Sequence, residues 1–263
     1  MTQTQALATR RLLIGQVPID PVSFSDAIAR IEALVRAGQG GNVFTPNVDH
    51  IVLAESDGEF REGYRRASLS LVDGMPLVWA SRLLGTPLPE KVSGSDLLLP
   101  LAEAAGRNGW PVYLVGGGPG VAERVAAELA RRFGTPIAGF DSPRIDLGPG
   151  GEAASREALA RIRAAGPRLV FVALGSPKQE VWIHRYLESI RPAVAVGVGA
   201  SFDFLVGVQS RAPRWVSHVG LEWFYRLALN PRRLWRRYLL NDPKFVGILL
   251  STWRGARRSQ PAG

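Results

Sequence analysis

Apolar and polar positions along the chain alternate between short, continuously apolar runs and longer amphipathic segments. In the segment 26–37, for example, Ile28, Ile31 and Val35 share one face of a predicted helix. Strands that are apolar throughout and separated by helices are typical of a parallel sheet covered on both faces. We therefore expect an α/β, Rossmann-like fold with a mostly parallel sheet. A short hairpin is predicted over 12–19, and the apolar runs predict sheet strands at 42–45, 69–72, 110–115, 137–140, 169–174 and 193–198.

Charge divides the chain into two parts. The net charge is +9, yet residues 1–210 are balanced, whereas residues 211–263 carry 11 Lys and Arg against only Glu222 and Asp242. Four of the seven tryptophans also lie there. We therefore predict an α/β core over 1–210 and a basic, aromatic, helical appendage over 211–263.

The appendage contains a predicted amphipathic helix over 231–240. Its arginines collect on one side, and apolar residues such as Trp235 and Leu239 on the other. A basic helix with interfacial aromatic residues is typical of binding to an anionic membrane surface. One alternative is that the apolar side packs on the core and leaves a solvated basic face. Nucleic-acid binding is disfavoured because the balanced core offers no wider basic track.

Composition excludes several kinds of chemistry. The chain has no cysteine, which rules out disulfides and thiolate catalysis. The three histidines, His50, His184 and His218, are too scattered for a histidine metal cluster. The first residues do not read as a signal peptide, and no apolar run reaches the roughly 18 residues of a membrane span. The expected compartment is the cytoplasm.

Small or polar residues follow five of the six predicted strands. Because the carboxyl ends of parallel strands meet at one edge of a sheet, we expect these residues to converge there. Asp73 is the candidate catalytic carboxylate, although Asp-Gly is also a common turn pair. The residues in question are Thr45-Pro46-Asn47, Asp73-Gly74, Gly116–Gly120, Gly175–Glu180 and Gly199–Asp203.

Several of these residues suit a sugar nucleotide. The loop of Gly116, Gly117 and Gly118 would let a diphosphate approach the backbone at a helix start, although a purely structural turn explains it equally well. Thr45, Asn47 and Gln179 can hydrogen-bond a hydroxyl-rich ligand. Asp203 is as readily a brace for its loop, and Glu180 a partner of the helix dipole. Asp141, at the end of the next strand, keeps a nicotinamide-dependent oxidoreductase open as an alternative.

The combined motifs resemble the WecG/TagA/CpsF glycosyltransferases over roughly residues 12–246. The matching segments are Thr45-Pro46-Asn47, Asp73-Gly74, Gly175–Trp182, Gly197–Asp203, Arg211–Trp215, Gly220–Trp223, Arg226 and Arg236–Tyr238. The resemblance implies an inverting transfer from a UDP-sugar, for example a ManNAc or hexose donor, to a polyprenyl-diphosphate-linked saccharide. It also implies that the reaction takes place at the inner face of the cytoplasmic membrane, in the synthesis of a teichoic acid linkage unit, enterobacterial common antigen or an exopolysaccharide. No metal or other cofactor is expected. A second copy of the chain is a further candidate partner.

The resemblance also implies roles for particular residues. Asp73 aligns with the presumed catalytic base of the family. Lys91 stands where many relatives carry arginine, and lysine keeps the positive charge but cannot form the two parallel hydrogen bonds by which arginine binds a phosphate. The implied substrate-binding set is Thr45, Asn47, Lys91, Gly116, Gly117, Gly118, Gln179, Glu180, Gly199 and Asp203. The appendage, over 211–246, is implied to complete the site and to face the membrane, with the lipid- and phosphate-binding set Arg214, Arg226, Arg232, Arg233, Arg236 and Arg237. A non-catalytic nucleotide-sugar-binding protein remains a third alternative.

Overall fold

A computed structural model describes residues 11–148, 150–213, 216, 221–229 and 231–258, so the N-terminal segment up to residue 10 lies outside the described residues. The strands β1 (Leu12–Ile14) and β2 (Val17–Ile19) form the predicted antiparallel hairpin. The central sheet contains β3 (Gly41–Phe44), β4 (Leu69–Ser70), β5 (Val112–Gly116), β6 (Ile137–Asp141), β7 (Leu169–Ala173) and β8 (Val194–Gly197).

The central sheet runs in the order β4-β3-β8-β7-β5-β6, and each neighbouring pair is parallel. This confirms the predicted parallel α/β sheet. All six carboxyl ends therefore lie along one edge, which we call the rim. From the β4 end, the rim presents in turn Asp73, Asn47, Gly199, Ser176, Gly117 and the end of β6 at Asp141.

Helices cover both faces of the sheet. Along β7, Val170 and Val172 enter one apolar cluster, while Leu169 and Phe171 enter the other. This two-sided burial is the reason that the strands are continuously apolar. The core helices are α1 (Phe24–Ala37), α2 (Val48–Ser56), α3 (Gly58–Arg65), α4 (Met75–Leu83), α5 (Gly94–Asn108), α6 (Val121–Phe133), α7 (Glu152–Ala165), α8 (Lys178–Ile190) and α9 (Ser201–Leu205).

The helices α1 and α5 each begin two residues earlier than the sequence pattern predicts. Ser25 and Ser95 are the capping residues that the pattern favours, but the caps are Ser23 and Ser93. Each segment reads Ser-x-Ser, and the first serine is the one with extended backbone, so the helix starts directly after it.

The appendage folds back onto the core. It comprises α10 (Glu222–Leu229), α11 (Pro231–Trp235), a π-helical turn over Arg236–Asn241 and α12 (Lys244–Arg258). Phe245 of α12 is buried in the cluster that contains Ile14 and Ile51. The Gly15 N–H also donates to Thr252 Oγ1 at 3.0 Å. None of the helices in the described part of the chain combines the length and apolar character that a membrane span requires.

Candidate active site

Asp73 lies at the β4 end of the rim. Backbone pairing between β3 and β4 continues past the last ladder residue, and its final hydrogen bond is donated by Asp73 N–H to Pro46 O at 2.8 Å. Gly74 then adopts a φ of 125°, which residues with a Cβ rarely tolerate, and α4 begins at Met75. The backbone of Asp73 is therefore fixed between a strand and a helix, as the sequence pattern predicts.

The half-buried side chain of Asp73 opens into a pocket of about 290 Å³. This is close to the lower end of the range for small-molecule sites. Both parts of the chain form its walls. The core contributes Asn47, Val48, Asp49, Asp73, Gly74, Met75, Pro76 and Lys91, and the appendage contributes Trp223, Arg237, Tyr238, Asp242 and Phe245.

Arg237 connects the two walls. Its Nη2 donates to Asn47 Oδ1 at 3.2 Å, and its Nε lies 3.3 Å from Asp49 Oδ2. Asn47 caps α2 with the same oxygen, which accepts from the His50 N–H at 3.4 Å. The appendage is thus held at the first turn of α2, beside the pocket.

Arg236 and Arg237 do not point together, although the sequence pattern predicts them on the same side of a helix. Arg236 is exposed and lies over the Trp235 ring at 5.4 Å, whereas Arg237 turns inward. The α-helix gives way to a π-helical turn at Arg236, which changes the direction of the side chains that follow. Arg237 therefore leaves the predicted common side of the arginines and lines the pocket, while Arg232, like Arg236, is exposed.

A buried polar pair lies beneath the first turn of α2. The Tyr64 hydroxyl and His50 Nδ1 are 2.9 Å apart. Burial, helped by the nearby Arg237 charge, lowers the pKa of His50 to about 3. Burial also raises the pKa of Tyr64, with smaller contributions from Glu180, Asp73 and Asp49. Both groups are therefore neutral at physiological pH, and they support the pocket from below.

Three predicted substrate-binding residues, Thr45, Gln179 and Glu180, lie inside the fold instead of in this pocket. Gln179 Oε1 accepts from the Gly199 N–H at 3.0 Å, and its Nε2 donates to Glu180 Oε1 at 2.6 Å. Glu180 is fully buried, and burial raises its pKa to about 7. Thr45 is also buried. The start of α5 packs closely against it, since a Cβ added to Gly94 would lie only 3.1 Å from the Thr45 Oγ1. Gln179 is accordingly a brace between α8 and the end of β8.

The glycine loop follows β5, on the rim but outside the pocket lining. The Gly117 N–H already donates to Ala173 O at 3.1 Å, because the pairing of β5 with β7 extends one residue further than the predicted strand. The carbonyl oxygens of Gly116 and Gly118 accept from Ser142 Oγ at 3.1 and 3.4 Å. Part of the loop backbone is therefore engaged within the protein.

Two acidic residues of the rim have structural partners. Asp203 Oδ2 accepts from Gln209 Nε2 at 2.8 Å, so Asp203 braces the turn after α9. Asp141 Oδ2 accepts from Arg161 Nη2 and Nε at 2.6 and 2.8 Å. The carboxylate on which the nicotinamide alternative depends is thus already paired.

The remaining predicted arginines fall outside what can be described. Arg214 lies outside the described residues, as do the side chains of Arg226 and Arg233.

Sequence reasoning had missed several pocket residues. The spacing Asn47-x-Asp49 on α2 was an available signal for one of them. Trp223 and Tyr238 lie in segments that match the family, but no sequence signal assigns them, Asp242 or Phe245 to a pocket.

Known proteins resemble the chain over most of its length. A family model described as the glycosyl transferase WecG/TagA/CpsF family matches residues 12–259. A Bacillus spizizenii protein named N-acetylglucosaminyldiphosphoundecaprenol N-acetyl-beta-D-mannosaminyltransferase is 33% identical over 253 residues, which cover 94% of this chain and 95% of that protein. A Bacillus subtilis protein of the same name is 32% identical over 224 residues, which cover 84% of each.

Proposed function

The chain belongs to the WecG/TagA/CpsF glycosyltransferase family, and we propose from this that it transfers an N-acetylmannosamine-type sugar from a UDP-sugar to a polyprenyl-diphosphate-linked saccharide. The names of the two Bacillus relatives support N-acetylglucosaminyldiphosphoundecaprenol as the acceptor. The observation that carries the proposal is the pocket that Asp73 of the core shares with Lys91 and with Arg237 of the appendage.

Asp73 acts as the general base in the proposed mechanism. It accepts the proton of the acceptor hydroxyl as that oxygen attacks the anomeric carbon of the donor. A new glycosidic C–O bond forms while the bond from the anomeric carbon to the diphosphate oxygen breaks, and UDP leaves with the electron pair. Attack opposite the leaving group inverts the configuration at the anomeric carbon.

Cationic side chains and the rim stabilise the departing diphosphate in this proposal. Lys91 and Arg237 line the pocket, and their positive charge opposes the negative charge that develops on UDP. The nucleotide extends from the pocket along the rim towards Gly199 and the loop after β5. There β5 connects outward to β6 while β7 connects inward to β8, the kind of switch point at which open sheets bind nucleotides. The proposal needs no metal, so chelation with EDTA should leave the rate unchanged.

The appendage places the pocket at the inner face of the cytoplasmic membrane in this proposal. Its exposed apolar residues include Trp235 and Leu239, and the exposed Arg232 and Arg236 lie on the same segment. Apolar insertion together with attraction to anionic head groups suits a peripheral membrane protein. The lipid-linked acceptor would then reach the pocket from the surface on which the appendage rests.

A donor panel tests the proposal. The full-length protein is given UDP-sugars and a short-chain polyprenyl-diphosphate-N-acetylglucosamine, and UDP release is measured with and without acceptor. We expect acceptor-dependent release with UDP-N-acetylmannosamine and a β-linked product. Acceptor-independent hydrolysis, or no release with any donor of the panel, would contradict the function. Thermal shift with NAD should show no stabilisation, which separates the transferase from the nicotinamide alternative.

A further inference from the structure

A break in helical geometry decides which side chains of the appendage reach the pocket. From Arg236 to Asn241 the chain forms a π-helical turn, and Asp242 N–H donates to Arg237 O at 2.8 Å. In a regular α-helix, residues 237 and 242 would point about 140° apart, since 3.6 residues make one turn. The wider turn brings both side chains to the pocket. Such π-helical turns occur frequently at functional sites.

The carboxylate of Asp242 lacks a complete set of partners. Within the described residues its Oδ1 is shielded from solvent and accepts no hydrogen bond. Burial raises the pKa of Asp242 to about 6, and the Arg237 charge opposes that shift, while the Arg237 guanidinium itself lies against Asp49. At neutral pH the pocket therefore contains an ionised carboxylate with one unsatisfied oxygen, which costs stability. A ligand that donates a hydrogen bond to this oxygen would remove that cost.

Two aromatic rings of the appendage line the same pocket as this carboxylate. Trp223 and Tyr238 have ring centroids 6.0 Å apart at an interplanar angle of 56°. Aromatic rings pack against the apolar C–H face of a pyranose, and a carboxylate accepts short, charge-assisted hydrogen bonds from its hydroxyls. The wall therefore suits a sugar ring.

We propose that Trp223, Tyr238 and Asp242 form the subsite for the sugar ring of the acceptor, with Asp242 accepting from its hydroxyls. This inference rests on the proposed function. Both the donor and the acceptor contain a sugar, so position decides between them. The wall formed by these three residues lies at the β4 end of the rim, whereas the loops suited to the donor nucleotide follow β8, β7 and β5. The wall and Asp73 therefore bound the same pocket from opposite parts of the chain, so a ring on this wall presents a hydroxyl to the base.

If the subsite is correct, Asp242→Asn should change the stability and the acceptor affinity in opposite directions. Asp242→Asn removes the negative charge while keeping the shape of the side chain, so the appendage should pack at least as stably as before. The same change replaces charge-assisted hydrogen bonds to the sugar with weaker ones, so the acceptor should bind less tightly. Retaining a destabilising group for binding is a common trade between stability and activity. A residue with a merely structural role would not move the two quantities in opposite directions.

The experiment uses the full chain with the short-chain acceptor and a UDP-sugar. The KM for the acceptor, the KM for the donor and the Tm are measured for the wild type, for Asp242→Asn and for Asn241→Ala. Asn241 is the exposed neighbour, outside the pocket lining, and serves as the matched control. We expect Asp242→Asn to raise the acceptor KM about tenfold, to leave the donor KM unchanged and to keep or raise the Tm. The control should match the wild type.

Each other outcome overturns the subsite. An unchanged acceptor KM would show that Asp242 does not bind the acceptor, and a raised donor KM alone would assign the wall to the donor sugar. A lower Tm with both KM values raised would reduce Asp242 to a structural role. If the wild type itself releases no UDP, the proposed function fails, which is distinct from normal wild-type turnover with an unaffected variant.

Discussion

The α/β core and the C-terminal appendage differ in how far their apolar side chains are buried. In the core, the strands and the inward faces of the helices form two closed clusters, and Trp182 and Phe171 have no exposed surface. In the appendage, Phe245 is one of the few large apolar side chains that reach the core. Large apolar side chains that are exposed in the described part of the appendage are Leu221, Trp223, Phe224, Leu229, Trp235, Leu239, Leu240, Val246 and Leu250.

The difference shows where each part obtains its stability. The core buries its own apolar surface, and its buried Gln179 is hydrogen-bonded to both Glu180 and the Gly199 backbone. The appendage instead leaves apolar surface and arginines free for something outside the chain, and it is tied to the core by Arg237 and by α12. We therefore expect the two parts to respond to substitution in separable ways. The proposed catalytic carboxylate, the core interior, the seam at which Arg237 contacts Asn47 and Asp49, and the outer face of the appendage each offer one test.

Asp73→Asn should have the largest effect because it removes the proposed base from the core side of the pocket. We expect kcat to fall by about 10²–10⁴, the usual contribution of a positioned general base. The backbone hydrogen bond from Asp73 N–H to Pro46 O does not involve the side chain, so the fold should persist. UDP release under saturating substrates measures the change.

The control for that variant is the unfolding curve. An unchanged Tm with lost turnover would assign the chemistry to the core carboxylate. Near-normal turnover would contradict the role of Asp73 and would move the search for the base to Asp49 or Asp242, the other carboxylates of the pocket.

Glu180→Gln tests whether the buried polar groups of the core serve stability. Burial raises the pKa of Glu180 from its ordinary 4.5 to about 7, so the folded state holds this proton more tightly than the unfolded state. The resulting stability is fully present below pH 4.5 and is lost as the pH rises through about 7. From pH 5 to pH 8 the wild type should lose about 2–3 kcal/mol of unfolding free energy through this group.

Urea unfolding at the two pH values provides the measurement. The glutamine variant keeps an acceptor for the Gln179 amide and cannot ionise, so its unfolding free energy should lack the part of the change that Glu180 contributes, while the titrations of His50 and Asp242 are common to both proteins. Glu123→Gln, at an exposed position in the first turn of α6, serves as the control and should retain it. An equal decline in all three proteins would show that Glu180 does not titrate in this range.

Arg237→Ala tests the seam between the two parts. It removes the hydrogen bond to Asn47, the ion pair with Asp49 and a positive charge of the pocket. A charge-assisted hydrogen bond contributes about 1.5–3 kcal/mol, so kcat/KM should fall by about 10- to 100-fold. Arg237→Lys should recover only part of the activity because lysine cannot span both partners as a guanidinium does. Comparable losses for Arg236→Ala and Arg237→Ala would contradict the inward role of Arg237.

The sequence predicted most of the architecture because apolar patterning depends on local physical chemistry. Continuous apolar runs identified all six sheet strands, and parallel pairing then required Asp73 and Asn47 to share one edge. The position of Asp73 also follows from the glycine after it, whose φ of 125° permits the turn into α4. These features could be read from short stretches of chain.

The composition of the pocket could not be read in the same way. Gln179 and Glu180 follow a strand at the rim, but their side chains turn into the fold, since the Gly199 N–H donates to Gln179 and the Gln179 amide donates to Glu180. The contact of Arg237 with Asn47 joins positions 190 residues apart and depends on a π-helical turn that no local pattern signals. Side-chain direction at the seam is therefore a tertiary property.

Arg236→Ala should have the smallest effect, and it isolates the outer face of the appendage. Arg236 is exposed and contacts the Trp235 ring, so its loss should leave the seam with the core intact. Each basic residue near an anionic surface contributes about 1 kcal/mol, so affinity for phosphatidylserine-containing vesicles should fall about fivefold, and less at high salt because ions screen the attraction. Vesicle sedimentation measures it, with Arg237→Ala as the comparison because that side chain faces inward. Weakened vesicle binding by Arg237→Ala, with none by Arg236→Ala, would reverse the assignment of the two arginines and with it the distinction between the seam and the proposed membrane-facing surface.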